Sequence, residues 1–360
     1  MGGLAGHMMH PHDNLKLTIE EFEDIFLGTV NQNLPASEKL DGFNIHILNK
    51  NGEIRFARNG KDLMEGGFGN ADIENRFSNE RVREVFRRGF EMAEQDARFK
   101  MIPDWDLFHY TINTEIIIAG CTNIMPYGQN MLVPHNLYRW GIWNGNAHIN
   151  SIDELPGNLK TNLPFTWIDA RQDFNEEYWH DRIWKVFEEF NGANTLEEYY
   201  GHKFVQVVMA IMEGEYSCEL VQAMFNRFFS VGEKINLREL RKEYGSENVQ
   251  KFLDIEKQLV FLTKDDLDQL VLEMGTYILD HFRGLNWASG IPYHAMQVLH
   301  ENVLKIVANT ENDTRIFVHR WTACSGKVFA TEGLVVEFKG NSYKWTGPFA
   351  PINQLLGGNR

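Results

Sequence analysis

Apolar residues recur along this chain with two different periods, and the change from one to the other marks out its architecture. From Thr18 the run TIEE carries a capping-box pattern with Glu21 three residues on, and Ile19, Phe22, Ile25 and Phe26 fall on one helical face. Pro35 closes that element. The period then drops to two. In EKLDGFNIHI, residues 38–47, Phe43, Ile45 and Ile47 alternate with Asn44 and His46, the pattern of a strand with one buried face. FNIHIL, NKNG and EIRFAR together predict a β-hairpin turning at Asn51-Gly52. A two-residue turn there sets Arg58 across from Ile45, close to the Lys39–Gly42 end of the first strand.

Residues 79–96 return to helical spacing, with Val82, Val85, Phe86 and Ala93 as the inner stripe. DLFHYTINTEIIIAG (106–120) is β-rich and reaches Glu115 just before the apolar run Ile116–Ile118, and MLVPHNLYRWGIW (131–143) reads as another buried strand. From about 175 to 308 the apolar residues keep helical spacing throughout, before TRIFVHRWTA and GLVVEFKGNSYKWTG return to strands. The expected fold is therefore α+β. Residues 1–170 and 310–360 form one discontinuous domain of mainly antiparallel sheets, and 171–309 form an all-helical insertion.

Composition narrows the function. With 43% hydrophobic residues the 360-residue chain can bury a large core. No window holds the ~18 uninterrupted apolar residues that a membrane span needs. The start lacks the layout of a secretory signal, and Gly6 stands where a myristoylation pattern needs Ser or Thr. Cys121, Cys218 and Cys324 are scattered and form no CxxC pair, which points to a reducing, cytoplasmic setting and away from disulfides or thiolate-bound zinc. A net charge of −15 argues against indiscriminate nucleic-acid binding but leaves room for a local groove. Arg81, Arg83, Arg87 and Arg88 form one basic stretch, and Arg238, Arg241 and Lys242 another.

The chemistry-bearing residues come in a fixed order: Lys39-x-Asp41-Gly42, Arg58, Glu115, Glu332-Gly333-x-Val335 and Lys344. In that order the chain resembles the covalent nucleotidyltransferase superfamily of ATP-dependent DNA and RNA ligases and mRNA capping enzymes. GGLAGHM, MPYGQNMLVPH and YKWTGPFAPINQLLG look most like a group of phage-encoded ligase-like proteins. The resemblance implies an ATP-grasp-like nucleotidyltransferase domain in which Lys39 attacks the α-phosphorus of ATP and becomes a lysyl-phosphoramidate. An amine can do so only when neutral, and nearby cations and desolvation favour that form. Arg58 and Lys344 are the candidate cations. Glu332 is the candidate ligand for Mg²⁺ or Mn²⁺, which bind few carboxylates alongside phosphate oxygens and water. The resemblance further implies that Glu115 accepts from the ribose hydroxyls, that Asp41 and Gly42 form the turn beside the nucleophile, and that Glu38 meets the adenine edge.

Three departures from the family pattern stand out. The last motif usually has two lysines one residue apart, whereas here Thr346 follows Lys344-Trp345; Lys339 is a candidate for the second charge. The aromatic that stacks on adenine has no clear counterpart, with His135 and Tyr138 as alternatives. The chain also leaves no room after the last motif for an oligonucleotide-binding barrel, so the helical insertion is the candidate clamp. His7, His10, His12 and Asp13 are of metal-binding types, but their spacing matches no standard zinc site; a phosphate contact through His7 or His10 is the alternative to a plain loop. The expected function is an ATP-dependent polynucleotide ligase joining 5′-phosphate and 3′-hydroxyl ends. RNA is favoured over DNA as the partner because the missing barrel resembles the minimal RNA ligases. The alternatives are a DNA ligase or a degenerate nucleotide-binding phage assembly protein.

Overall fold

The computed structural model describes residues 8–119, 129–155, 174–188, 192–212, 217–229, 236–281 and 332–346. Their strands are β1 (Ala36–Lys39), β2 (Phe43–Lys50), β3 (Glu53–Ala57), β4 (Tyr110–Ile117), β5 (Met131–Trp143), β6 (Asn146–Glu154), β7 (Gly333–Phe338) and β8 (Asn341–Thr346). The helices up to β4 are α1 (Ile19–Val30), α2 (Gly60–Met64), α3 (Ile73–Arg76), α4 (Glu80–Gln95), α5 (Ala97–Lys100) and α6 (Trp105–Phe108). Those after β6 are α7 (Glu176–Phe187), α8 (Leu196–Met212), α9 (Cys218–Phe228), α10 (Leu237–Tyr244) and α11 (Ser246–His281). The chain divides into two units: Met1–Met8, Ala36–Asp169 and Gly275–Arg360 form the first, and Met9–Pro35 with Ala170–Met274 form the second. Among the described residues no helix is long and apolar enough to cross a membrane.

The first unit holds two antiparallel sheets, in the orders β3-β2-β4-β5-β6 and β1-β7-β8. The β2–β3 hairpin turns at Asn51 and Gly52 with φ of 54° and 86°, the left-handed pair that a two-residue turn demands. Its register runs from Lys50↔Glu53 to His46↔Ala57, so Arg58 continues to the place opposite Ile45 that the turn predicted. The apolar face of the larger sheet packs on α4, where Phe56 stacks on Phe90 with ring centroids 3.8 Å apart. Gly89 lets that helix in, because a Cβ there would lie 2.9 Å from Ile116 Cδ1. The opposite face carries Asn44, His46, Thr111, Asn113 and Glu115, with a second apolar cluster of Leu48, Ala57, Leu63, Trp105, Tyr138 and Trp140 at one end.

One local expectation changes. Asp106–Phe108 were read with the following strand, but Asp104 caps a helical turn there by accepting from the Asp106 N–H, and His109 leaves it in a left-handed conformation (φ 54°). Pro134 sits inside β5 without spoiling the sheet because the β4–β5 register shifts between Asn113 and Thr114, leaving His135 as the extra residue of a bulge. TRIFVHRWTA lies outside the described residues.

The second unit is helical. Phe22, Ile25 and Phe26 of α1 are fully buried, Phe26 lies 4.8 Å from the Trp179 ring, and Phe22 is edge-on to Phe187. Buried Glu23 accepts from His180 Nδ1 at 2.8 Å and from Trp184 Nε1 at 2.9 Å, tying α1 to α7. Arg182 ties α7 to Glu273 on α11, and Lys203 of α8 meets Asp266. The segment expected to be an all-helical insertion over 171–309 is helical where described; the second unit takes Ala170–Met274 together with Met9–Pro35.

Candidate functional site

Lys39 is the last residue of β1. It pairs with Gly333 on β7, which pairs in turn with Thr346 on β8. A Cβ at Gly333 would collide with the Trp345 carbonyl, so this crossing admits only glycine. Paired residues share a face and neighbours alternate. Lys39, Gly333 and Thr346 thus form one row, and Ser37, Val335 and Lys344 form the next row on the same face. Lys344 is half-buried there, two strands across from Lys39. Lys39 Nζ lies 2.6 Å from Glu332 Oε1. Burial raises the Glu332 carboxyl above its ordinary pKa; Lys39 opposes the shift, while the nearby charges of Asp41 and Glu115 add to it.

After Lys39 the chain passes through Leu40 and Asp41, both buried, directly into the larger sheet. Gly42 donates its N–H to Glu115 Oε1 at 3.1 Å, and Asn44 Nδ2 donates to Oε2 at 3.3 Å. A Cβ on Gly42 would stand 2.6 Å from the Ile116 carbonyl oxygen and 2.8 Å from Glu115 Cγ. Glu115 is thereby held against the turn that follows the lysine. His135, exposed on its bulge, brings Nε2 to 3.8 Å from Glu115 Oε2. Tyr138, the alternative stacking residue, is buried and packed on Trp140 and edge-on to His46.

Arg58 lies just past β3. Its N–H donates to Asp62 Oδ2 at 2.8 Å, and its guanidinium stands over Phe86 at 5.6 Å and Phe77 at 6.0 Å. Phe86 is edge-on to Phe43, the residue after Gly42. Two expected residues sit elsewhere. Glu38 is on the other face of β1, buried in register with Leu334 and Trp345, because successive strand residues point to opposite sides. Lys339 is in the β7–β8 turn (φ 48°) with its Nζ over the Phe338 ring, at the end of β7 away from Gly333. Six residues of strand separate that turn from the Lys39 row by ~20 Å. His7 lies outside the described residues; His12 is buried in the second unit, with Nε2 2.9 Å from Asp268 Oδ1.

The arginines of α4 face acids of their own neighbourhood. Arg83 meets Glu74 and Glu80, Arg87 meets Glu74, Glu80 and Glu84, and Arg88 meets Glu84. Arg238, Arg241 and Lys242 on α10 are exposed and form no ion pair among the described residues. A group that the motif order does not mark is the buried set around His46. Its Nδ1 lies 2.9 Å from Thr111 Oγ1, which accepts from Trp140 Nε1 at 2.9 Å. Burial lowers the His46 pKa to about 3, so the ring is neutral. The available signal was the period-two placement of polar Thr111, Asn113, Asn44 and His46 on one strand face.

Among the described residues no three His, Cys, Asp or Glu side chains form a group able to hold a metal ion. No family model, curated protein or solved structure matches this chain.

Proposed function

We propose that the chain is an ATP-dependent polynucleotide ligase with an ATP-grasp-like nucleotidyltransferase domain, acting on RNA in preference to DNA. The observation that carries this reading is the meeting of Lys39 with Glu332 at 2.6 Å beside Asp41 and Glu115, at the passage from one sheet into the other. Nearby cations favour a neutral, nucleophilic amine and carboxylates disfavour it, so Lys344 on the sheet face of Lys39 is what supports the nucleophile reading. The lone pair of Lys39 Nζ would form a bond to the α-phosphorus, the bond from that phosphorus to the bridging oxygen would break, and pyrophosphate would leave. The adenylyl group would pass to a 5′-phosphate, and a 3′-hydroxyl would then displace AMP. Glu115 would accept from the ribose hydroxyls, since a carboxylate accepting two hydrogen bonds retains lone pairs.

Mg²⁺ or Mn²⁺ would neutralise charge on the phosphates. Such ions take one or two carboxylates together with phosphate oxygens and water. Glu332 is the residue to hold the ion. A second reading, a nucleotide-binding protein without ligase activity, draws on Thr346 standing where a second cation is expected, in the same row as Lys39. Incubation with α-labelled ATP and Mg²⁺ or Mn²⁺, followed by a denaturing gel, separates the two. The ligase forms a labelled, acid-labile adduct that Lys39→Ala abolishes; an adduct undiminished in that variant overturns the reading.

A further inference from the structure

His46 on β2 and Asn113 on β4 are direct cross-strand partners, and Asn113 is paired on its other side with Asn136 of β5. All three lie on the face that carries Glu115, one row further along. His46 is 1% exposed and Asn113 9%, yet His46 Nε2 and Asn113 Oδ1 have no hydrogen-bond partner among the described residues. Leaving two adjacent polar atoms buried and unmet is costly, and native folds seldom do it without a reason.

The partners of each residue define what these atoms offer. Trp140 Nε1 can only donate, so Thr111 Oγ1 accepts from it. The remaining hydrogen of the buried Thr111 hydroxyl is then satisfied by donating to His46 Nδ1, which puts the ring hydrogen on Nε2. Asn113 Oδ1 is an amide oxygen and can only accept. The row therefore presents one neutral N–H donor beside one neutral acceptor. It meets solvent at Asn136, and Asn44 in the neighbouring Glu115 row is likewise half-buried.

We propose that His46 and Asn113 are the seat that reads the base of the bound nucleotide, and that the base is a 6-aminopurine. Asn113 Oδ1 takes the 6-amino group, and His46 Nε2–H donates to the adjacent ring nitrogen. The inference rests on the nucleotide-binding reading above, and takes up the task the sequence assigned to Glu38, which faces the other side of its strand. One row of strand separates the pair from Glu115, ~7 Å, so a ribose at Glu115 leaves its base over this row. Guanine in the same pose sets its 6-oxygen against Asn113 Oδ1 and its N1–H against His46 Nε2–H, two repulsive contacts. Neutral groups suit the task because a charge would bind the phosphates instead.

The test compares ATP, purine riboside triphosphate (which lacks the 6-amino group) and GTP, read both as adduct on Lys39 and as ligand-induced rise in melting temperature. Wild-type protein should favour ATP over purine riboside triphosphate by about tenfold or more, with GTP weaker still. Asn113→Leu and His46→Phe, checked for cooperative unfolding, should bring ATP down to the level of purine riboside triphosphate. Because the wild-type comparison needs no variant, a variant that misfolds does not shield the proposal. Equal response of wild type to all three nucleotides overturns it. So does an ATP preference that survives in both variants, which would mean the pair encloses a water only. Absence of any adduct, with the ATP preference intact in thermal shift, would refute the ligase reading and leave the seat standing.

Discussion

Lys39 Nζ lies 2.6 Å from Glu332 Oε1, and an amine attacks phosphorus only through an unprotonated lone pair that is free of such a contact. Under the ligase reading proposed above, the Lys39–Glu332 pair would thus be a resting arrangement that nucleotide and metal loosen. Its carboxyl side makes a pH prediction. Burial, aided by Asp41 and Glu115 and opposed by Lys39, raises the folded pKa of Glu332 above the unfolded one. Such a group favours the fold when protonated; the contribution is full below the unfolded pKa and is lost as pH rises through the folded pKa. Glu332→Gln stays neutral at every pH. Its melting temperature relative to wild type should therefore be more favourable at pH 8 than at pH 4, and an equal difference at both would refute a strained carboxylate. Gly42 makes a second prediction. Gly42→Ala must push the Ile116 carbonyl or the Glu115 side chain aside, costing ~1–3 kcal/mol and lowering the melting temperature by several degrees. Gly60→Ala, with nothing within 4 Å of the added methyl, is the control and should leave it nearly unchanged.

Helices α4 and α10 look alike in sequence and differ in what surrounds their charges. On α4 each of Arg83, Arg87 and Arg88 already has a carboxylate within ion-pair distance; for Arg87 this drives the side chain's proton affinity up and for Glu80 down. Those pairs are exposed, so each contributes little to stability. They do leave α4 near neutrality. Reversing Arg83 and Arg87 to Glu should therefore change strand binding and its salt dependence little. Reversing Arg238, Arg241 and Lys242 should weaken binding of a nicked strand, flatten the dependence of affinity on salt, and spare adduct formation. Filter binding across a salt series reads both, and the opposite ranking would move the groove to α4. What was legible in the sequence follows the same local logic. Asn51-Gly52 sets the hairpin register by itself, so the position of Arg58 could be read in advance. Period two also puts Glu38 opposite Lys39, but which face meets the core is decided by Leu334 and Trp345, nearly 300 residues away. The partners of the α4 arginines include Glu74 on a separate helix, which a helical wheel does not show. His46 and Asn113 likewise become a pair only through the alignment of β2 with β4.

At the scale of the whole molecule, the second unit borrows its core from the start of the chain. Phe22 and Phe26 pack on Phe187 and Trp179, and Glu23 takes hydrogen bonds from His180 and Trp184. Residues 170–274 alone should consequently show helical far-UV signal without a cooperative melt, whereas the same residues linked to 9–35 should melt as one transition. A cooperative melt of 170–274 by itself would refute the dependence. The helical periodicity of both segments was visible in the sequence, but nothing local to either announces that they share a unit. The β1–β7 pairing carries a consequence for how the protein is made. Lys39 leaves the ribosome about 290 residues ahead of Gly333, the strand partner that brings Glu332 to it. At ~5–20 residues per second, β1 waits ~15–60 s for its neighbour, with an unpaired edge exposed throughout. The nascent chain thus cannot bring Lys39 and Glu332 together until Glu332 has been made, and a ribosome that stalls in the helical region releases a product with the lysine but not the glutamate that meets it.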